Sequence, residues 1–147
     1  IEVGGNVTTL ELCVSYANQR VAFEKPISKF QAVQHNLARL AGEVAAAVSA
    51  ANSAADAFAS GCSGNALLLE VASAKVRCSE AAETGAAIAH QVHGAIGFTS
   101  EHVLHRYTLR ALSWREDFGN ESYWAAKLGE LVLNRGPDEL WPLIAAQ

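Results

Sequence analysis

The 147-residue chain has no methionine, only 3 prolines and only 3 cysteines, and each shortage excludes something. Without a methionine, Ile1 is not an initiator residue, so we expect a fragment of a longer chain. A cleaved leader would also explain it. Against secretion, Cys13, Cys62 and Cys78 are odd in number and lack CxxC spacing, which indicates neither a disulfide framework nor a zinc site. A reducing, cytoplasmic compartment is the default that follows. Lysine and arginine number 11 against 15 aspartates and glutamates, a net charge of -4, with no basic cluster. Such a chain has little to neutralise a run of phosphates or an anionic bilayer, so no nucleic acid and no membrane is expected as a primary partner. The uncharged stretch at residues 44–55 is mostly alanine and serine, too weakly apolar for a membrane span.

What is present is apolar and helix-forming. Half the residues are hydrophobic, which excludes intrinsic disorder and suffices for the core of one domain over residues 1–147. About one residue in five is alanine, and two of the three prolines fall in the last eleven positions, so the composition reads all-α. Asn6 is the expected N-cap of a first helix with Val7, Leu10, Val14, Ala17 and Val21 on one face, ending near Glu24 because Pro26 disfavours helix at Lys25. Ser28 and Gln31 read as a capping box opening a long helix to about Ser60. Gly61, Ser63 and Gly64 break it. A third helix from about Asn65 buries Leu68, Val71, Ala74, Cys78, Ala81 and Ala82 and stops at the glycines Gly94 and Gly97. Thr99 or Ser100 is then expected to cap a fourth helix lined by Val103, Tyr107, Ala111, Trp114 and Phe118, and Gly119-Asn120 separates it from a last segment. Two helices near 30 residues joined by a short loop lie antiparallel, which makes the expected architecture an up-and-down four-helix bundle with an extra C-terminal helical segment.

Chemistry-bearing residues are few. His90 with His93 and His102 with His105 are spaced i,i+3, as metal ligands on one helix face are, but no Glu is followed three residues later by His. A di-iron bundle needs that pattern on two helices, so no metal is expected. His35 reads as a surface residue. GxSxG, HExxH and Walker GK[ST] motifs are absent, and the cysteines read as small buried hydrophobes. On composition alone the chain is a structural bundle or interface module. The tract Gln91-Val92-His93-Gly94-Ala95-Ile96-Gly97-Phe98-Thr99 stands apart, because a polar residue and two glycines at a helix end suit the approach of a diphosphate or a flat ring.

That tract has a companion. Tyr16-Ala17-Asn18-Gln19-Arg20-Val21-Ala22-Phe23, then Pro26-Ile27, then Phe30-Gln31 on to Leu37-Ala38, resembles the Y-x-x-x-R-x-x-F-G-x-x-I-x-x-F-Q-x-x-x-x-x-L-A run of the acyl-CoA dehydrogenases. The Gln91–Thr99 tract resembles the same family's Q-x-x-G-G-x-G-F/Y signature, and the resemblance spans roughly residues 5–135. It implies the C-terminal helical domain of a longer FAD-dependent flavoprotein that oxidises an acyl-CoA thioester in fatty acid or sterol catabolism. It also implies that the bundle forms the core of a tetramer, a dimer of dimers, or pairs with a heteromeric partner subunit. An electron-transferring flavoprotein is the implied electron acceptor. By resemblance Arg20 reaches the FAD diphosphate, which suits a guanidinium with its fixed charge and bidentate donors; the plain alternative is a surface salt bridge. Phe23 is the aromatic of that motif or simply core. Gln31 meets the flavin nucleotide, serves the capping box, or both. Gln91, Val92, His93, Gly94 and Ala95 fall on the segment that holds the adenosine half.

The departures matter as much. Glu24 stands for the usual Gly after Phe23, Ala95 for the second Gly of the Gly-Gly pair, and Val103 for a Pro. The family removes the α-proton of an acyl-CoA with a carboxylate while hydride leaves Cβ for the flavin, and the common position of that base is Phe118, followed by Gly119 and Asn120. Phenylalanine takes no proton. Three explanations stand: a base on an earlier helix, at a position that would precede Ile1; replacement by Glu116 or Asp117; or a non-catalytic subunit that pairs with an active dehydrogenase. The fragment alone is expected to be inactive.

Overall fold

A computed structural model describes residues 2–145. The chain runs through α1 (Glu2–Gln19), a hairpin of β1 (Val21–Ala22) and β2 (Lys25–Pro26), α2 (Gln31–Ala59), α3 (Gly64–His93), α4 (Leu104–Glu116), α5 (Glu121–Arg135) and the short α6 (Leu140–Ala145). Single 3-10 turns occupy Ile27–Lys29, Gly94–Phe98 and Pro137–Glu139. The all-α, up-and-down expectation is borne out. Helix α2 runs antiparallel to α3, with Glu43 paired to Arg77 and Ser53 Oγ donating to Glu70 at 2.6 Å. Helix α3 is the central column and packs against α1, α2, α4 and α5. At 30 residues it is about 45 Å long, and α4 and α5 together form one antiparallel leg along it, broken at residues 117–120.

The core owes its closeness to small residues. Cys13, Ala17, Ala47, Ala81 and Ala89 are buried where α1, α2 and α3 meet, with Leu40 and Leu104 as the largest fully buried side chains. Burial holds the Cys13 thiol up to about 12 and the Cys78 thiol up to about 11, so both stay protonated as packing groups. No helix among the described residues is long and apolar enough to cross a membrane.

Several local expectations need correction. Helix α1 begins at Glu2, not after Asn6; Asn6 is buried inside it, donating from Nδ2 to the Cys78 carbonyl at 3.4 Å. Two contacts override the weak helix propensity of Gly4-Gly5. Glu2 accepts from Lys75 and Ser79 at the helix N-terminus, where a carboxylate is favoured, and Gly5 lies under Trp114, where an added Cβ would come within 3.4 Å of the indole. The buried face is then Gly5, Asn6, Thr9, Cys13 and Ala17, while Val14 and Val21 are exposed. The helix ends at Gln19 and gives way to the hairpin, whose turn residues Phe23 and Glu24 both take positive φ, 51° and 65°, the conformation that matches strand twist in a two-residue turn.

The Ser28–Gln31 capping box does not form. The 3-10 turn after the hairpin takes up Ser28, α2 starts at Gln31 with Phe30 as an N-cap lacking a side-chain bond, and it is Gln34 Nε2 that donates to the Ser28 carbonyl, at 3.0 Å. Nor do Thr99 and Ser100 cap α4. Its N-terminus is satisfied by an imidazole, His102 Nδ1 accepting from the Leu104 N–H at 3.1 Å.

Candidate functional site

The first signature folds into the end of α1, the hairpin and the start of α2. The Arg20 N–H donates to the Tyr16 carbonyl at 2.8 Å, and the Arg20 carbonyl accepts from the Ile27 N–H at 2.8 Å, so the backbone is held at both groups while the residue is exposed. Among the described residues the Arg20 guanidinium has no ion-pair partner. Phe23 is 89% exposed at the hairpin tip, edge-on to Phe30, and is not core. Gln31 opens α2 in solvent, with no capping duty.

The second signature folds into the end of α3. Gly94 takes φ 64°, and no atom lies within 4 Å of where a Cβ would stand, so the turn is open to a ligand on that side. Gln91 and Ala95 are exposed beside it, whereas Val92 and His93 are buried. His93 Nδ1 donates to the Ala89 carbonyl at 2.8 Å, and its Nε2 is buried without a partner. Burial pushes the His93 imidazolium below the usual histidine value; the Ala89 bond opposes this, and His102 and His90 reinforce it. His90 is lowered too, by burial and then by His105; its Nε2 lies 3.0 Å from Thr108 Oγ1. Gly97 is a packing requirement, since a Cβ there would sit 3.0 Å from the His93 Cβ. A groove of about 690 Å³ runs from this end along α3 and α4 as far as Glu83 and Arg115, lined among others by His90, Gln91, Gly94 and Phe98.

The two signatures meet at one end of the bundle through a residue to which the sequence reading gave no role. Tyr16 stacks on His93, ring centroids 4.4 Å apart, and its hydroxyl donates to the His93 carbonyl at 3.3 Å. Its place in the first signature was the available signal; what it touches depends on how α1 lies against α3.

Phe118 is elsewhere, at the break between α4 and α5, about 20 Å along the 13-residue α4 from its start. The expected packing of Phe118 with Tyr107, Ala111 and Trp114 is wrong. The residue is 93% exposed with φ 60°, because α4 ends at Glu116 and Gly119, at φ 94°, turns the chain into α5. Of the expected stripe α4 buries Ala111, joined by Leu104 and Thr108. Glu116 is exposed and accepts from Asn120 Nδ2 at 3.3 Å, and Asp117 is exposed beside it. Asn120 also caps α5, its Oδ1 accepting from the Tyr123 N–H at 3.1 Å. Arg115, bonded to Glu121 and 3.2 Å from Glu83, clamps the break to α3. Among the described residues no three His, Cys, Asp or Glu side chains gather in a way that would hold a metal.

Comparisons with known proteins agree with this architecture. The family model for the acyl-CoA dehydrogenase C-terminal domain matches residues 2–126. The acyl-CoA dehydrogenase IpdE2 of Mycobacterium tuberculosis is 40% identical over 110 residues, covering 75% of this chain and 32% of its own. The ChsE4–ChsE5 complex of M. tuberculosis superposes with a TM-score of 0.84 at 28% identity, over 92% of this chain and 36% of that one. Butyryl-CoA dehydrogenase of Megasphaera elsdenii does so with a TM-score of 0.83 at 26% identity, over 90% and 34%. The chain spans about a third of the length of each of these relatives.

Proposed function

Since this chain belongs to the acyl-CoA dehydrogenase family, as its C-terminal domain, we propose that it is one domain of an FAD-dependent enzyme that dehydrogenates an acyl-CoA thioester between Cα and Cβ. In this reading it supplies part of the FAD site and of the oligomer core. The observation that carries it is the contact of Tyr16 with His93, which brings the end of α1, where Arg20 opens the first signature's hairpin, against the turn at Gly94. The residues fit the cofactor. An unpaired exposed guanidinium suits a diphosphate, an exposed aromatic and amide suit a nucleotide, and the open Gly94 turn lets backbone come close. Bound FAD would supply the hydride acceptor. Val92 and His93, being buried, hold the turn from beneath rather than touch the dinucleotide. For the oligomer, α2 exposes Ala38, Ala41, Gly42, Ala45, Ala46 and Ser49, a face against which another helix packs closely.

The base position favours a second reading, in which the chain completes the FAD site of an active partner and does no proton chemistry. Phe118 there is solvent-exposed and lacks any proton acceptor, and one solved neighbour is a complex of two named components, ChsE4 and ChsE5. Anaerobic mixing of the full-length protein with saturated acyl-CoA thioesters separates the readings. Bleaching of the flavin by the protein alone supports the enzyme, with electron-transferring flavoprotein as the acceptor to try next. Bleaching only after a second dehydrogenase subunit is added supports the partner. If Glu116→Gln alone abolishes bleaching while flavin and thioester still bind, Glu116 is the base.

A further inference from the structure

We infer that Tyr16 and His93 are positioning residues for the cofactor, a pin that fixes the Arg20 hairpin relative to the Gly94 turn. The inference rests on the FAD reading above and says how Tyr16 and the buried His93 act in it without touching the ligand. Neither side chain is itself available to a ligand: His93 is buried, and the Tyr16 hydroxyl is spent on the His93 carbonyl. What they control is where their neighbours stand. The Tyr16 carbonyl holds the Arg20 N–H at 2.8 Å, and the Arg20 carbonyl in turn holds Ile27 at 2.8 Å, so the hairpin hangs from the last turn of α1. The Tyr16 hydroxyl bonds the peptide that leads directly into Gly94, the residue at φ 64°.

A single side chain thus couples the two segments, and its partner is locked in turn. The His93 ring is fixed by its Nδ1 bond to Ala89 and touches both Tyr16, at 4.4 Å, and His102, at 4.7 Å, with the Cys13 sulfur 4.0 Å from Nδ1. His102 faces Tyr16 edge-on at 6.0 Å and accepts from the first N–H of α4, so α1, α3 and the start of α4 are registered by a cluster of three rings. A dinucleotide held at one end by Arg20 and at the other by the Gly94 turn gains from both contacts only if their separation is preset, because a loose pair must be ordered on binding.

The test is a double-mutant cycle on FAD affinity in the full-length protein, with Arg20→Ala, Tyr16→Leu and the pair, and with Tyr16→Phe replacing Tyr16→Leu in a parallel cycle that keeps the ring and removes only the hydroxyl. Tyr16→Leu is expected to weaken FAD about tenfold and Tyr16→Phe about threefold, in line with loss of a stack plus a hydrogen bond or of the bond alone. In the Tyr16→Leu background the Arg20→Ala loss should shrink severalfold, because a guanidinium no longer aimed has less to lose. A residue that merely stabilises the fold would give losses that multiply independently. That result, with Arg20→Ala weakening FAD by itself, overturns the pin and leaves the FAD reading intact. If Arg20→Ala leaves FAD affinity unchanged, the FAD reading fails and the pin with it. Should Tyr16→Leu fail to fold, the Tyr16→Phe cycle decides by the same criterion.

Discussion

At the scale of single residues, exposure and backbone angle assign roles that residue type does not. Phe118 reads as a core aromatic from its spacing, yet at 93% exposure it has nothing to lose by truncation. Phe118→Leu should therefore leave the unfolding free energy within about 0.5 kcal/mol, by denaturant titration; a loss above about 1 kcal/mol would mean that another surface covers it. The reverse holds for His93, which reads from the sequence as a ligand-facing polar residue and proves 3% exposed. Its imidazolium is lowered by burial, so the folded state resists a proton that the unfolded chain accepts. The contribution of the neutral ring is complete above about pH 6.5 and is lost as pH falls below that value toward the depressed folded one. Thermal unfolding midpoints should drop between about pH 7.5 and 5.5, and His93→Gln should flatten the drop. Equal slopes in the two proteins would remove His93 from the account.

At the scale of elements, the helices written by periodicity and by glycine punctuation were legible, and the junctions set by tertiary contact were not. The α2–α3 break could be read from Gly61, Ser63 and Gly64 because local chemistry alone decides it. The start of α1 could not be, since Gly4 and Gly5 argue against helix until Glu2 meets Lys75 and Gly5 meets Trp114. The capping box failed for a similar reason: a hairpin upstream, turning through two non-glycine residues at positive φ, moved the N-cap two residues on, from Ser28 to Phe30. Junctions of this kind are also where substitutions should act most strongly. Gly119, at φ 94°, joins the two halves of the fourth leg, and a Cβ there would fall 2.7 Å from the Tyr123 ring. Gly119→Ala should cost about 2–4 kcal/mol through backbone strain and overpacking, read as a fall in the unfolding midpoint. A neutral effect would mean that the α4–α5 break has slack to relax.

For the whole molecule, the bundle is a frame that brings two signatures, distant in the chain, to one of its ends. Both signatures could be read in the sequence, and so could their shared family. Their separate surfaces could not, because which of the eight candidate positions are exposed depends on packing: Arg20, Phe23, Gln31, Gln91, Gly94 and Ala95 face outward, while Val92 and His93 lie beneath. The position expected for a base is of another kind, since Phe118 and Glu116 sit a helix length from that end. The claim on which the rest depends is that the outward set binds the FAD diphosphate through Arg20. Its most direct test is the FAD dissociation constant of the full-length protein carrying Arg20→Ala or Arg20→Lys. Loss of a charge-assisted hydrogen bond of about 1.5–3 kcal/mol predicts roughly tenfold or greater weakening for Ala, and partial recovery for Lys, whose point charge cannot reproduce the guanidinium fork. Unchanged affinity in both variants would contradict the account.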